Sequence, residues 1–287
     1  QFGDQIFAEQ NIHVAGTFEG EIRKIKTEDK YGEIFIYLIP FLKPSMVKAW
    51  YGEVKTHQEA VEKALKSVKF EEGKRNILVA HQFVTKGNWS PQICDSEQLS
   101  IGGLDRVDVS VFEKFDYVAL GHLHGPQKVG RETIRYSGSP LKYSFSESRQ
   151  KKSAVFFEIK EKGEIEIELI PLIPKRDLRV LKGPLNEILN PDHYKKGNQE
   201  DYVRVILTDE RELYAPLDEI RKIYPNILRL EFDNTRTKND TGMENLEEIE
   251  KKDAFTLFSE FFERQNERAM DEEQRKWVRA ILEGGDV

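Results

Sequence analysis

The sequence lacks the features that would place it outside a reducing, water-filled compartment. It has a single cysteine, Cys94, in 287 residues, so no disulfide can form within the chain. It has no apolar run of the length needed to span a membrane, and no recognisable signal peptide. These absences exclude a disulfide-stapled secreted scaffold and predict a cytoplasmic protein.

The sequence also lacks a net positive charge. Its formal net charge is -7, whereas a protein that grips nucleic acid needs Lys and Arg for the phosphates. The excess of acid is local, because residues 241–287 contain 13 Asp and Glu against 7 Lys and Arg. The rest of the chain is close to neutral, so its charge does not exclude nucleic-acid binding.

Histidine is scarce, with six residues, yet three of them directly follow or flank the ends of predicted buried strands. The apolar run Tyr117-Val118-Ala119-Leu120 leads through Gly121 to His122 and His124, and the run from Asn76 to Ala80 leads to His81. Parallel strands open at a common carboxyl edge, and imidazole is a frequent metal ligand. The pattern therefore predicts a metal site, although a structural role at a strand end stays open for each histidine.

These motifs resemble those of a known family. Gly121-His122-Leu123-His124, Tyr136-Ser137-Gly138-Ser139-Pro140 and Ala80-His81-Gln82 resemble the later motifs of calcineurin-type metallophosphoesterases. Within that superfamily, the chain resembles the SbcD nuclease subunits of bacterial SbcCD complexes over nearly its whole length. The likeness includes Ile39-Pro40-Phe41-Leu42-Lys43-Pro44 and the closing helices.

The resemblance implies a nuclease that hydrolyses DNA phosphodiesters with two Mn²⁺ ions, Mg²⁺ being the alternative metal. It implies exonuclease action on double-stranded ends and endonuclease action on hairpins or single strands, in DNA repair, recombination and replication. His81 and His122 would bind one ion and His124 the other. Ser137 and Ser139 would shape the wall of the substrate groove, and Lys142 is a weaker candidate for substrate binding.

The family's earlier motifs, which hold its aspartate ligands and its catalytic histidine, find no counterpart in the sequence. Gly3-Asp4 and Gly285-Asp286 are the only Gly-Asp pairs, and neither has the expected neighbours. We therefore expect an N-terminally truncated fragment, with unknown catalytic residues, that is inactive or nearly so by itself.

The predicted fold is of the α/β class. Residues 1–172 are expected to form the C-terminal part of a metallophosphoesterase β-sandwich flanked by helices, with strands that include Asn11–Gly16 and Gly20–Ile25. Residues 153–159 and 164–170 alternate in polarity and predict a β-hairpin. Residues 173–240 follow a β-α-β-α-β order, which predicts a small capping domain. Residues 241–287 would be a flexible linker and C-terminal helices.

Apolar side chains, most of them aromatic, share one face on each of the last two predicted helices. The resemblance implies that this face binds an SbcC-like ATPase at the root of its coiled coil, within a heterotetramer built on a homodimer of the nuclease subunit. Packing on the chain's own domain is the alternative. The residues of this face are Phe255, Phe258, Phe261, Phe262, Trp277 and Ile281.

A cluster of basic residues near the end of the first predicted domain allows two interpretations. Lys142, Arg149, Lys151 and Lys152 form a basic cluster, which is by default a solvated surface and otherwise a contact for phosphates.

The protein could also be a phosphoesterase acting on nucleotides or phosphoproteins, or a non-catalytic scaffold for a coiled-coil partner. The capping unit and the aromatic helices count against the phosphoesterase, and aspartate motifs encoded upstream would count against the scaffold.

Overall fold

Thirteen strands and seven α-helices are described in the computed structural model, which covers residues 11–97, 105–235, 254–266 and 268–282. The strands are β1 (Arg23–Asp29), β2 (Gly32–Ile39), β3 (Arg75–His81), β4 (Phe83–Thr85), β5 (Arg106–Asp108), β6 (Tyr117–Gly121), β7 (Gln127–Val129), β8 (Arg131–Tyr136), β9 (Ser153–Ile159), β10 (Ile165–Pro171), β11 (Leu178–Gly183), β12 (Tyr202–Leu207) and β13 (Ile227–Phe232). The α-helices are α1 (Pro44–Tyr51), α2 (His57–Lys66), α3 (Leu185–Ile188), α4 (Pro191–Tyr194), α5 (Pro216–Arg221), α6 (Ala254–Asn266) and α7 (Glu272–Leu282). The chain is thus mixed α/β, as the sequence predicts.

The largest sheet has six strands in the order β1-β2-β3-β6-β8-β7. Its four central strands, β2, β3, β6 and β8, run parallel, whereas β1 and β7 pair antiparallel at the two edges. Helices α1 and α2 make the connection from β2 to β3, as parallel strands require a crossover. All four central strands therefore end at one carboxyl edge.

The two faces of this sheet carry different cores, because successive side chains of a strand point in opposite directions. On one face, Leu78 and Ala80 of β3 pack in the main core with the helix residues Ala60 and Val61. On the other face, Ile77 packs with residues of the β9–β10 hairpin. There the Tyr117 and Phe157 rings stack with centroids 3.9 Å apart. The hairpin forms from Ser153–Ile159 and Ile165–Pro171, close to its predicted bounds.

Strands β11, β12 and β13 form a separate three-stranded sheet in that order. Helices α3, α4 and α5 lie between these strands along the chain, which confirms the predicted β-α-β-α-β order. Val203 and Val205 of β12 are fully buried, as is Ile220 of α5. The predicted domain boundaries after residues 172 and 240 stay predictions, and the second lies outside the described residues.

By contact density the chain divides into two units, Gln1–Ile206 with Tyr214–Glu231, and Leu207–Leu213 with Phe232–Val287. The second unit contains α6 and α7, which contact each other. The side chain of Asp271 caps the start of α7 by accepting from the backbone N–H of Gln274 at 2.8 Å. Among the described helices, none combines the length and the apolar character needed to cross a membrane.

The predicted strand at Asn11–Gly16 is wrong. These residues form no strand, and β1 begins at Arg23 rather than at Gly20. Asn11 and Gly20 have positive φ angles of 58° and 90°, which interrupt an extended chain. The alternating side chains Ile12 and Val14 are 48% and 43% exposed, so they are not buried against the described part of the chain as the side chains of a core strand would be.

One buried cation ties the ends of β1, β3 and β9 together. Arg75 is 2% exposed, and its guanidinium donates to the carboxylate of Asp29 and to the carbonyls of Gly32, Ile159 and Lys160. We expect Arg75→Lys to lower the free energy of unfolding by about 2 kcal/mol, because one ammonium cannot reproduce the planar fork. Urea unfolding measures this difference.

The control for this prediction is Arg221→Lys, a change at an exposed position of α5. It should leave the unfolding midpoint almost unchanged. Equal midpoints for the two variants would show that the Arg75 contacts do not stabilise the fold.

Candidate metal centre

The register of the parallel sheet brings the predicted histidines to one edge. In the pairing of β3 with β6, His81 lies opposite Gly121, the last residue of each strand. His122 follows Gly121 directly, and His124 lies two residues further on. Apart from Val79, which is exposed, the apolar residues of both strands pack in the two cores, so packing sets the register and with it the position of the histidines.

His81 and His122 form a close pair. Nε2 of His81 lies 3.3 Å from Nδ1 of His122, and the rings meet edge to face with centroids 5.2 Å apart. Two nitrogens that bind one ion at about 2.1 Å lie roughly 3 Å apart, so the separation suits a shared ion. Gly121 permits this approach, since a Cβ at that position would lie 3.0 Å from Nδ1 of His81.

His122 has a strained backbone and an unsatisfied ring nitrogen. Its φ angle is 113°, a region that side chains with a Cβ rarely adopt. Its Nε2 atom is buried and has no hydrogen-bond partner among the described residues. Both features are typical of a residue held for a ligand rather than for stability.

Both rings of the pair are held neutral at pH 7. Partial burial lowers the pKa of His81 below its usual range. Burial, and then the neighbouring charge of His81, lowers the pKa of His122. Neutral imidazole is the form that binds metals, so the pair needs no deprotonation at neutral pH.

Phe41 forms the apolar wall of this pair. Its ring stacks on His122 with an interplanar angle of 4° and a centroid distance of 5.7 Å, and it meets His81 edge to face at 6.0 Å. Phe41 also packs against His57, at 5.5 Å. The ring covers one side of His122, which is half-buried, whereas His81 is exposed at the rim of the sheet.

His124 lies in a second cluster, which is polar. Its Nδ1 atom is 2.9 Å from Ser96 Oγ and 3.6 Å from a carboxylate oxygen of Glu147. Its backbone N–H donates to the side chain of Glu97. The Tyr143 ring covers it edge to face at 5.5 Å.

Ligand atoms of Cys94, Glu97 and His124 lie within 4.8 Å of one another, a spacing from which a metal site could be built. Ser96 Oγ, however, already contacts the sulfur of Cys94 at 3.1 Å as well as the ring of His124. Glu97 accepts from the backbone N–H of Cys94 at 2.8 Å. The three groups are thus satisfied by the protein itself, and we interpret them as the support of His124.

The predicted substrate residues differ in their surroundings. Ser137 is exposed at the end of β8. Ser139 is buried, and its hydroxyl donates to the carbonyl of Leu141 at 2.7 Å. The ammonium of Lys142 pairs with the carboxylate of Asp177 at 2.9 Å, so its charge is engaged within the protein. A role in substrate binding stays a prediction for all three.

The sequence is similar to those of known proteins. The chain is 29% identical to the SbcD subunit of the nuclease SbcCD from Staphylococcus epidermidis over 289 residues, which cover 98% of the chain and 73% of that protein. Residues 174–266 match the family SbcD_C, described as the type 5 capsule protein repressor C-terminal domain. The chain is therefore similar to SbcD over nearly its whole length.

In the SbcD-like chain, the predicted partner-binding residues divide into exposed and covered groups. Phe258, Phe261, Trp277 and Ile281 are between 42% and 61% exposed. Phe255 is partly covered, since the guanidinium of Arg279 lies over its ring at 4.6 Å. A groove of about 530 Å³ runs between the two helices. Its lining comprises Phe258, Phe262, Met270, Asp271, Glu273, Gln274, Trp277 and Val278.

The interpretation of Lys152 as a solvated surface residue is wrong. Lys152 is 5% exposed and pairs with the fully buried Glu147, with Nζ 2.6 Å from Oε2.

Three features of the site were not predicted from the sequence, namely Glu147, Ser96 and the wall formed by Phe41. A local signal existed for Glu147 alone, since Ser144-x-x-Glu147 has the spacing of a capping box.

The strain at His122 can be measured without any metal. We expect His122→Gly to be more stable than His122→Ala by about 1 kcal/mol, because glycine adopts a positive φ without a Cβ penalty. Urea unfolding in the presence of a chelator measures the difference.

His81 lies in β3 and does not have a positive φ angle. There we expect His81→Ala to be more stable than His81→Gly. The same order at both positions would show that the φ angle of His122 stores no strain.

Proposed function

We propose that this chain is a subunit of an SbcCD-type DNA nuclease that hydrolyses phosphodiester bonds with bound metal ions. The observation that carries the proposal is the His81–His122 pair, in which Nε2 of His81 lies 3.3 Å from Nδ1 of His122 at the carboxyl edge of the sheet. The likeness to a nuclease subunit over 98% of the chain supports it.

Three histidines of the chain would hold the metal. His81 and His122 share one position, and His124 contributes to a second. Mn²⁺ suits imidazole together with oxygen ligands, and Mg²⁺ is the alternative. A bound ion of this kind polarises a phosphate and lowers the pKa of water. The chain's own residues orient the rings, and Phe41 excludes water from one side of them.

DNA is the proposed substrate, rather than a nucleotide or a phosphoprotein. The rim beside His124 carries the exposed ring of Tyr143, which is 61% accessible. Exposed aromatic rings offer a stacking surface to unpaired bases. Arg149 and Lys151 are exposed in the following segment and are available to phosphates. Ser137 lies at the same end of the sheet. Action on double-stranded ends and hairpins, in repair, recombination and replication in the cytoplasm, completes the proposal.

Metal binding tests the proposal directly. We expect the chain to bind Mn²⁺ and His122→Ala to weaken that binding at least tenfold, because a nitrogen ligand is lost. Electron paramagnetic resonance of free Mn²⁺ measures the affinity without any need for turnover. His193→Ala is the matched control, since His193 is exposed on α4. Equal affinities of the two variants would overturn the proposed site.

A nuclease assay on linear and hairpin DNA then separates the function classes. Cleavage that depends on Mn²⁺ and on His122 supports the nuclease, whether it comes from this chain or from a longer protein that contains it. Hydrolysis of nucleotides or phosphopeptides without DNA cleavage would support the alternative phosphoesterase. Metal binding with no hydrolysis of any of these substrates would support the scaffold.

We further propose that α6 and α7 bind an SbcC-like ATPase through its coiled coil, in an assembly that contains two copies of this subunit. The exposed rings lie on the two helices around an apolar groove, which suits the apolar face of a helical partner. The name of the staphylococcal relative describes one component of SbcCD, which supports a partner of this kind.

Phe261 and Ile281 are the most exposed members of this face, at 59% and 61%. We expect Phe261→Ser combined with Ile281→Ser to weaken binding of the ATPase by a factor of ten or more, since buried apolar anchors dominate such interfaces. Isothermal titration with the isolated coiled-coil segment measures the affinity. Glu272→Ser combined with Lys276→Ser alters exposed charges on α7 and should change it little. If the variant with both Phe261→Ser and Ile281→Ser binds the coiled-coil segment as tightly as the wild type, this surface is not the interface.

A further inference from the structure

The buried Lys152–Glu147 ion pair lies against the backbone of His124. Glu147 is fully buried and Lys152 is 5% exposed. Besides Glu147, the ammonium of Lys152 reaches the carbonyl of His124 at 2.8 Å, the hydroxyl of Ser139 at 2.9 Å and the side-chain carbonyl of Gln150 at 2.7 Å. Burying a pair of charges costs free energy unless the hydrogen bonds of both groups are satisfied. Here one of those hydrogen bonds is donated by Lys152 to the backbone carbonyl of His124.

The backbone of His124 is held from both of its polar groups. Its carbonyl accepts from Lys152 and also from the backbone N–H of Ser139, at 3.0 Å. Its own N–H donates to Glu97. Gly138 makes the approach possible, since a Cβ there would lie 2.6 Å from the carbonyl oxygen of His124. The position of the residue is therefore fixed before any ligand binds.

The ring of His124 is oriented through Ser96. Oε2 of Glu147 lies 2.6 Å from the ammonium of Lys152, so the buried pair consists of a carboxylate and an ammonium. The carboxylate can therefore only accept, and it accepts from Ser96 Oγ at 2.8 Å. With its single hydrogen donated to Glu147, Ser96 Oγ must accept from Nδ1–H of His124. Nε2 of His124 then carries a free lone pair.

Cys94 fits the same direction of hydrogen bonding. Cys94 is buried and forms no disulfide. The S–H group can donate to the second lone pair of Ser96 Oγ, 3.1 Å away. Ser96 thus donates once, to Glu147, and accepts twice, from His124 and Cys94.

We propose that Ser96, Glu147 and Lys152 are positioning residues that hold His124 in one tautomer and one orientation, with its Nε2 lone pair free for a metal ion. The metal part of this proposal rests on the proposed function. The tautomer part rests on the hydrogen bonds of the chain alone. Contacts of this kind, behind a ligating histidine, commonly change metal affinity 10- to 100-fold when they are removed.

The test uses Ser96, because removing either charge would leave its buried partner uncompensated and risk unfolding the chain. We expect the nitrogen NMR spectrum of wild-type His124 to show the Nδ1–H tautomer, at a pH well above about 6.5, the ordinary pKa of histidine. Ser96→Ala should mix in the Nε2–H tautomer, and Ser96→Thr should restore the wild-type spectrum. Ser146→Ala is the control, since its hydroxyl accepts from the nearby backbone N–H of Asp95.

Mn²⁺ affinity is the second readout. Ser96→Ala should weaken binding of the second ion about tenfold, whereas Ser96→Thr and Ser146→Ala should match the wild type. An unchanged tautomer in Ser96→Ala, or an Nε2–H tautomer in the wild type, would overturn the proposal. A wild-type chain that binds no Mn²⁺ would instead overturn the proposed function, and the tautomer comparison would still decide the role of Ser96.

Discussion

The parallel pairing of β3 with β6 is the constraint on which the candidate site depends. His81 meets Gly121 because each ends its strand, and each strand is placed by apolar residues that alternate between two cores. A slip of one residue would exchange Ile77 with Leu78 between those cores, so the register is strongly specified. The position of the histidines is thus a consequence of burying the strands, and the glycine supplies the space in which the imidazoles meet.

That placement has a local cost, which the packing must offset. The chain turns at His122 with a positive φ, a conformation that costs about 1–3 kcal/mol and persists only where the surroundings impose it. Here the ring is confined by the stacked Phe41 on one side and His81 on the other. A glycine would relieve the backbone but would remove the nitrogen. A strained residue whose ring faces a second imidazole is better explained by ligand binding than by folding.

The strands that end at the histidines could be predicted from the local sequence, because a short apolar run bounded by Gly or Pro is recognised from adjacent residues alone. It failed at Asn11–Gly16, where the alternation of apolar residues is present but no described strand pairs with it, and pairing is not a local property. It failed again at Lys152 and Glu147. Charged residues are predicted at the surface by default, and burial of a pair depends on contacts with Ser96, 51 residues from Glu147.

The two histidine clusters at this edge differ in the groups that lie behind the imidazole rings. His81 and His122 are backed by an aromatic ring and by each other, so burial disfavours their charged forms. His124 is backed by a hydroxyl that is itself hydrogen-bonded to a buried carboxylate. The compensating charge of Lys152 keeps that carboxylate ionised without exposing it to water. The edge thus offers one apolar and one polarised nitrogen environment. Ions held there would therefore meet two different imidazole environments within one edge of the sheet.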